Sequence, residues 1–199
     1  MIASHANGTL VLRPVDRLMK VAMECSRDAF AAVIETSLPE DWPQVPAAFS
    51  TDGSSHPAPW IGYLFVRASD NALLGNGGFV APPDGAGVVE IGYEIAPLHW
   101  NQGYATVAAG LLLDLAFKHG ADAVIAHARG HWNASNAVLQ KLGMNWVEEL
   151  TDPALGPIWR WRIDRPSASR EKPSDDRIPR GLRMRPSLEG SDQASLSSW

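Results

Sequence analysis

The chain has 199 residues, 45% of them apolar and 20% charged, with a formal net charge of −5, a composition that suits one soluble globular domain. The acidic balance argues against general nucleic-acid binding, and the longest apolar run, residues 107–117, is broken by Asp114 and too short to span a bilayer. No secretion signal is visible at the start, and the one cysteine, Cys25, excludes an intrachain disulfide and fits a reducing cytoplasm.

Charge is uneven along the chain. Residues 1–164 hold ten Lys/Arg against seventeen Asp/Glu, net −7, and residues 165–199 hold seven against five, net +2. An acidic body mildly favours a cationic substrate such as an amine, although solubility is the simpler account.

Residues 9–14 are a short β-branched run and read as a first strand. Asp16 is a good N-cap, and Leu18, Val21, Cys25, Ala29 and Ala32 recur at helical spacing through Thr36. That pattern predicts one helix with Cys25 packed on its apolar face. Residues 40–59 are rich in Pro, Ser and Gly and carry Trp42 and Phe49; they read as a short helix with loops. Residues 60–67, 73–80 and 88–95 form an antiparallel meander, its middle strand weakened by Gly75, Gly77 and Gly78. Residues 106–119 are helical and stop at Gly120. Residues 123–128 form a near-continuous apolar strand, as expected for one buried on both faces. Asn133 or Ser135 caps a helix over residues 134–142. Residues 146–150 and 158–163 close the fold as a hairpin, with Trp159, Trp161 and Ile163 on one face and Arg160 and Arg162 on the other. From Arg165 onward Ser, Pro and Arg dominate and predict a disordered tail. The expected organisation is a domain over residues 1–164 and a tail over 165–199. Its fold class is α/β (α+β mixed sheet), with helices on both faces and the strands at 88–95 and 123–128 parallel neighbours across a right-handed crossover.

The most informative stretch is the loop Trp100-Asn101-Gln102-Gly103-Tyr104-Ala105 between a strand and a helix. The first amides of that helix have no partner within it, and the partial positive charge of a helix N-terminus suits phosphate. Gly103 and Ala105 let an anion approach the backbone. No lysine follows, and neither the nucleoside-triphosphate loop nor the dinucleotide fingerprint G-x-G-x-x-G is present. A ligand carrying a pyrophosphate is expected here, in neither of those two modes.

Four pieces then stand in a telling order: Gly75-x-Gly77-Gly78-Phe79; Val89-Glu90-Ile91-Gly92-Tyr93-x-Ile95; Gly103-Tyr104-Ala105-Thr106; and Asn133-Ala134-Ser135 with Val138-Leu139-x-Lys141-Leu142-Gly143-Met144. With them the chain resembles acyl-CoA N-acyltransferases of the GNAT superfamily, in particular the ribosomal-protein N-terminal alanine acetyltransferase branch. The resemblance spans residues 9–163. It implies a mostly antiparallel, twisted sheet of about seven strands, splayed where the pantetheine arm of acetyl-CoA enters. It implies that Ile95 and Ala96 pair with that arm through their backbone. Trp100, Asn101, Gln102, Gly103, Tyr104, Ala105 and Thr106 would hold the pyrophosphate, and Asn133, with Asn136 as a fallback, would contact the cofactor. Trp100 and Asn101 depart from the usual loop residues, and Asn101 is the kind of residue that accepts a left-handed backbone. Leu139 stands where many relatives carry a tyrosine that protonates the leaving thiolate.

Acyl transfer to an amine needs the neutral amine, so a base is required at pH 7. Glu90 is the candidate, acting through a water as relatives are thought to do; the blander reading makes it an ordinary strand residue or pairs it with an arginine such as Arg129. A backbone N–H near Ile95 would hold the oxyanion. Ser135 is a candidate donor to the thiolate, with helix capping at least as simple a role. Tyr63 and Tyr93 line the acceptor pocket or pack the core. Glu94 holds a cationic acceptor or is a solvated strand residue. Trp42 and Trp60 wall the acceptor site or pack, Lys141 is solvated, and His127 with Arg129 alternate along one strand face. The histidines show no metal-ligand spacing, so no metal is expected. The expected activity is acetyl transfer from acetyl-CoA to a primary amine, a peptide N-terminus or a small molecule, by direct attack in a ternary complex, without Cys25 as a carrier. The alternative is a non-catalytic acetyl-CoA sensor or interaction module. Nucleic acid and membrane are not expected partners, the location is cytoplasmic, and the chain is a monomer or homodimer.

Overall fold

The computed structural model describes residues 2–5, 8–43 and 56–166. Strands β1 (Ile2–His5), β2 (Gly8–Pro14), β3 (Gly62–Arg67), β4 (Ala72–Phe79), β5 (Val88–Ile95), β6 (Ala123–Arg129), β7 (Asn145–Asp152) and β8 (Gly156–Asp164) alternate with helices α1 (Arg17–Cys25), α2 (Arg27–Ile34), α3 (Tyr104–Lys118) and α4 (Ala134–Lys141). The strands form one sheet in the order β1-β2-β3-β4-β5-β6-β8-β7. Only β5 and β6 run parallel; every other neighbouring pair is antiparallel. The expected class therefore holds, with β1 added at one edge.

The helix predicted over residues 16–36 is two helices. Asp16 accepts the Met19 N–H at 2.8 Å and starts α1. Ser26 adopts an extended backbone (φ −170, ψ 160), ends α1 and accepts the Ala29 N–H at 3.0 Å to start α2. One extended residue resets the helical phase. The residues that reach the core are Met19, Ala22, Phe30 and Ile34, while Leu18 is 63% exposed. Cys25, expected on a buried face, is exposed, because α1 turns Met19 and Ala22 to the core instead.

The sheet carries a core on each face, and β3 shows how one strand serves both. Tyr63 and Phe65 join Leu74, Ile91, Tyr93 and the apolar face of α3 in the larger cluster. Leu64 and Val66, pointing the other way, join Met19, Phe30, Ile34 and Trp42 under α1 and α2. The glycines of β4 are an adaptation to close packing rather than a weakness. A Cβ at Gly77 would lie 2.5 Å from Phe65 Cζ and 2.6 Å from the Gly92 carbonyl oxygen, and one at Gly78 would lie 2.4 Å from the Ile61 carbonyl oxygen. All β4 residues from Leu73 to Phe79 are buried.

The feature that positions the site is an early end to the parallel pairing. β5 and β6 pair at Val88↔Ala123, Val89↔Val124 and Glu90↔Ile125. β5 then stays with β4 as far as Gly75↔Ile95, while β6 stays with β8 as far as Arg129↔Ile158. From Ile91 onward the two strands are unpaired with each other, and a wedge opens toward the N-termini of α3 and α4.

Residues 44–55, where part of the expected short helix falls, and the tail from residue 167 lie outside the described residues. Arg165, expected to begin the tail, is still fixed to the domain. Its N–H bonds the Asp122 carbonyl at 2.8 Å and its guanidinium bonds the Ala121 carbonyl at 2.6 and 2.9 Å.

Candidate active site

The wedge has a defined lining because antiparallel pairing commits alternate residues to one neighbour. The Val80 N–H bonds the Glu90 carbonyl at 3.0 Å, and the Ala96 N–H bonds the Leu74 carbonyl at 2.9 Å. Glu90, Gly92, Glu94 and Ala96 therefore turn their backbone groups toward β4. Ile91, Tyr93 and Ile95 turn theirs toward β6, where the ladder stops at Glu90. The Ala96 carbonyl accepts the His99 N–H at 2.8 Å, so both Ala96 groups are bonded within the protein. The backbone edge that faces the wedge is that of Tyr93 and Ile95. The Ile95 carbonyl already accepts the Trp100 indole N–H at 2.6 Å.

Beyond the wedge, the chain turns through Pro97–His99 and enters α3. Asn101 (φ 58) and Gly103 (φ 81) are both left-handed, as expected for an Asn and a Gly at such positions. Gly103 is the N-cap and supplies no side-chain bond, and no acidic residue stands in the first turn of α3. The amides of Tyr104, Ala105 and Thr106 keep the donor capacity of a helix start. Gln102 Nε2 donates to the Leu98 carbonyl at 3.3 Å.

Tyr104 differs from its loop neighbours. Its ring is buried, and its hydroxyl accepts from Arg67 at 3.2 Å. Its side chain thus anchors the helix, leaving only its backbone for a ligand. The Arg67 guanidinium is paired with Asp70 at 2.8 Å, which pulls the Asp70 carboxyl down to about 2. His99 packs edge-on to Tyr104 with ring centroids 6.3 Å apart. Burial, with the Arg67 charge, holds the His99 pKa below its ordinary value.

On the face of the sheet opposite α3, Glu90 accepts from His127 Nδ1 at 2.7 Å. Arg160 Nε donates to His127 Nε2 at 3.1 Å, and Arg160 also reaches Glu148 at 2.6 Å. The arginine donor makes Nε2 the acceptor, so the proton sits on Nδ1 and points at Glu90. Glu90 is one-quarter exposed at its side chain. Its partner is therefore His127, not the arginine expected as the blander alternative. Arg129 stands two residues further along the same face of β6, and its Nε is buried with no acceptor among the described residues.

The α4 side of the mouth is held by asparagines. Asn133 caps α4 by accepting the Asn136 N–H at 3.1 Å. Asn136 is fully buried. It donates to the Arg129 and His131 carbonyls at 3.2 and 2.8 Å and accepts the Trp161 indole N–H at 2.8 Å. The side chain read as a fallback cofactor contact thus has both its amide nitrogen and its oxygen engaged inside the fold. Ser135 is in the first turn of α4 and is not its cap. Leu139 is buried in the larger core.

Tyr63 and Tyr93 lie in the core on the α3 face. Tyr63 donates to the Pro59 carbonyl at 2.7 Å, and burial pushes the Tyr93 phenol well above its usual range. Glu94, read as a solvated position, is buried. It faces Asn76 across β4 and β5, and the Asn76 carbonyl oxygen accepts the Trp42 indole N–H at 2.7 Å. Trp42 is buried under α1 and α2, and Trp60 packs edge-on to Phe79 in the other core. Lys141 is exposed. Asn76 escaped the sequence reading because it sits within the glycine-rich run of β4. No group of His, Cys, Asp and Glu suited to a metal is found among the described residues, and no helix there is long and apolar enough to cross a membrane.

Known proteins share this architecture. The profile of the acetyltransferase (GNAT) domain matches residues 9–145. RimL, a ribosomal L7/L12 alpha-N-protein acetyltransferase solved with coenzyme A, superposes with a TM-score of 0.60 at 18% identity, covering 82% of this chain and 98% of that one. Mycobacterium smegmatis RimJ, solved with CoA-disulfide, has a TM-score of 0.57 at 20% identity, with 82% and 86% covered. Spermidine N-acetyltransferase from Vibrio cholerae, solved with CoA and spermine, has a TM-score of 0.54 at 16% identity, with 78% and 95% covered. No curated protein matches the chain.

Proposed function

Because the chain belongs to the GNAT acetyltransferase family, we propose that it moves an acetyl group from acetyl-CoA to a primary amine by direct attack in a ternary complex. The observation that carries this reading is the wedge: an unpaired strand edge ending at a helix N-terminus free of acidic residues.

In this reading the pantetheine arm enters as an extra strand along Tyr93 and Ile95, and the pyrophosphate rests on the amides from Asn101 to Thr106. The Trp100 ring, fixed to the Ile95 carbonyl, borders that path, and the amide of Asn133 contributes from the start of α4. The amine approaches from the opposite face, where Glu90 stands. Glu90 takes the ammonium proton, directly or through a water, and frees the lone pair. The Tyr93 and Ile95 N–H groups face the wedge and stabilise the oxyanion as the carbonyl becomes tetrahedral. The attacking nitrogen gives up its second proton to solvent as the C–S bond breaks, and the sulfur leaves as the thiolate, with the Ser135 hydroxyl in the first turn of α4 as the candidate donor to it. Leu139 offers no proton, so no tyrosine fills that role here. The neighbours named for ribosomal L7/L12 and for spermidine support an amine acceptor of either a peptide or a small-molecule kind.

The test is thiol release from acetyl-CoA across a panel of peptide and small amines, for wild type and Glu90→Gln. Loss of roughly 10²–10⁴-fold in kcat, with acetyl-CoA affinity kept, is expected for a general base. Tight acetyl-CoA binding with no turnover of any amine would instead establish the non-catalytic sensor, a reading that the buried Leu139 favours.

A further inference from the structure

Six of the arginines among the described residues reach a carbonyl oxygen or a carboxylate. Arg67, Arg160, Arg162 and Arg165 each stand within ion-pair distance of an Asp or Glu, Arg13 donates to the Ile34 carbonyl at 2.9 Å, and Arg27 donates to the Trp42 and Pro39 carbonyls. Arg129 does neither among the described residues, and its Nε is buried. A guanidinium N–H removed from water without an acceptor costs free energy, and the cost is larger for a charged donor than for a neutral one. The backbone that presents it is tightly held. Arg129 pairs with Ile158 at the end of the β6·β8 ladder, Asn136 Nδ2 bonds its carbonyl, and the next amide, Gly130 N–H, bonds the Pro157 carbonyl at 2.8 Å.

Its position adds direction. Ile125, His127 and Arg129 share one face of β6, and Glu90 reaches across to His127 on that face. The pair Glu90↔Ile125 is the last before the strands part. Counting equal strand rise from there, Arg129 stands level with Glu94 on the opposite bank of the wedge, about 13 Å along β6 from Ile125. The guanidinium therefore borders the mouth of the wedge on the acceptor face, away from α3 and its anion-binding amides.

We propose that Arg129 is an acceptor-binding residue, and that the physiological acceptor is an amine that also carries an anionic oxygen group, a carboxylate, a few bonds from the nitrogen. A carboxylate accepts two parallel N–H bonds from one guanidinium and gives the buried Nε its missing acceptor. The same cation repels an extended polyamine. This rests on the acetyltransfer reading of the same wedge, and it separates two kinds of acceptor that the fold alone leaves equivalent.

The experiment compares matched acceptors: the dipeptide Ser-Glu, Ser-Gln with an amidated C-terminus, phosphoethanolamine and spermidine. Each is assayed by thiol release from acetyl-CoA on wild type, Arg129→Met and Arg129→Lys, with acetyl-CoA affinity measured in parallel. Wild type is expected to favour Ser-Glu over the anion-free peptide by about tenfold or more in kcat/KM, the scale of one charge-assisted pair. Arg129→Met lowers the Ser-Glu rate to the level of the anion-free peptide and leaves the latter unchanged; Arg129→Lys retains part of the preference. A wild-type preference for phosphoethanolamine over Ser-Glu overturns the assignment to carboxylate. Equal wild-type rates on all acceptors, or an equal loss on all of them in Arg129→Met, overturns the role of Arg129 while leaving acetyltransfer intact. Absence of turnover with every acceptor overturns both readings.

Discussion

Glu90 and His127 meet at 2.7 Å although they are not register partners; Glu90 lies opposite Ile125, and His127 is two residues further toward the wedge. The contact is diagonal, and Arg160 locks the imidazole from behind. Because a guanidinium does not release its proton at neutral pH, this chain of groups cannot conduct a proton outward. It acts as a brace that fixes one oxygen of Glu90.

His127→Leu removes the donor and lets the Glu90 carboxylate turn. A reduction in kcat of roughly tenfold to a hundredfold is expected, the scale for a misplaced catalytic group. The KM for acetyl-CoA should stay constant. His127→Asn places an amide donor near the Nδ1 position and should restore most of kcat in steady-state kinetics. A Leu variant with wild-type kcat would remove the brace from the mechanism.

Thr106→Glu separates binding from folding. Position 106 is in the first turn of α3, where a carboxylate complements the helix dipole by about 0.3–1 kcal/mol. The melting temperature should hold or rise. Acetyl-CoA affinity, by calorimetric titration, should fall at least a hundredfold, since the new charge meets the pyrophosphate. Undiminished binding would place the pyrophosphate elsewhere.

Stability should depend on His99. Its folded pKa lies below the ordinary value of 6.5, first through burial and then through the Arg67 charge. The unfolded state therefore binds the proton more readily, and stability rises with pH across that window. It is fully present above 6.5 and is lost as pH falls below 6.5 through the folded value. Urea midpoints at pH 7.5 and 5.5 should differ more for wild type than for His99→Gln. The acetyl-CoA affinity should weaken over the same interval, because His99 packs on Tyr104 at the start of α3.

Asn136→Leu should cost about 2–5 kcal/mol in urea denaturation, since it leaves the Trp161 N–H and two carbonyls buried without their partner. The loss should appear as reduced stability with a smaller change in kcat, as befits a residue that ties the β6 end to the loop before α4.

Much of this was legible in the residues and some was not. The bounds of β5 coincide with the apolar alternation of Val89, Ile91, Tyr93 and Ile95, which all join the core under α3. The break at Ser26 was hidden: apolar residues on both sides keep nearly helical spacing, so periodicity runs on through a residue whose hydroxyl caps the second helix. The left-handed Asn101 followed from residue type. The His127 contact did not, since strand parity places His127 and Arg129 on one face but the diagonal reach depends on where the parallel register stops. That register is set by the crossover through α3, a long-range quantity that local spacing does not encode.

The early end of the β5·β6 ladder has a mechanical meaning. Three residue pairs join the β1–β5 half of the sheet to the β6–β8 half, with α3 bridging them on one face. A ligand strand in the wedge would act as a keystone, turning two hinged half-sheets into a continuous one. Saturation at a hundred times Kd adds about 2.7 kcal/mol to any fold that binds only when native. Here that gain would fall at the seam, so exchange protection of β6 and β8 should follow cofactor occupancy more steeply than that of β3 and β4.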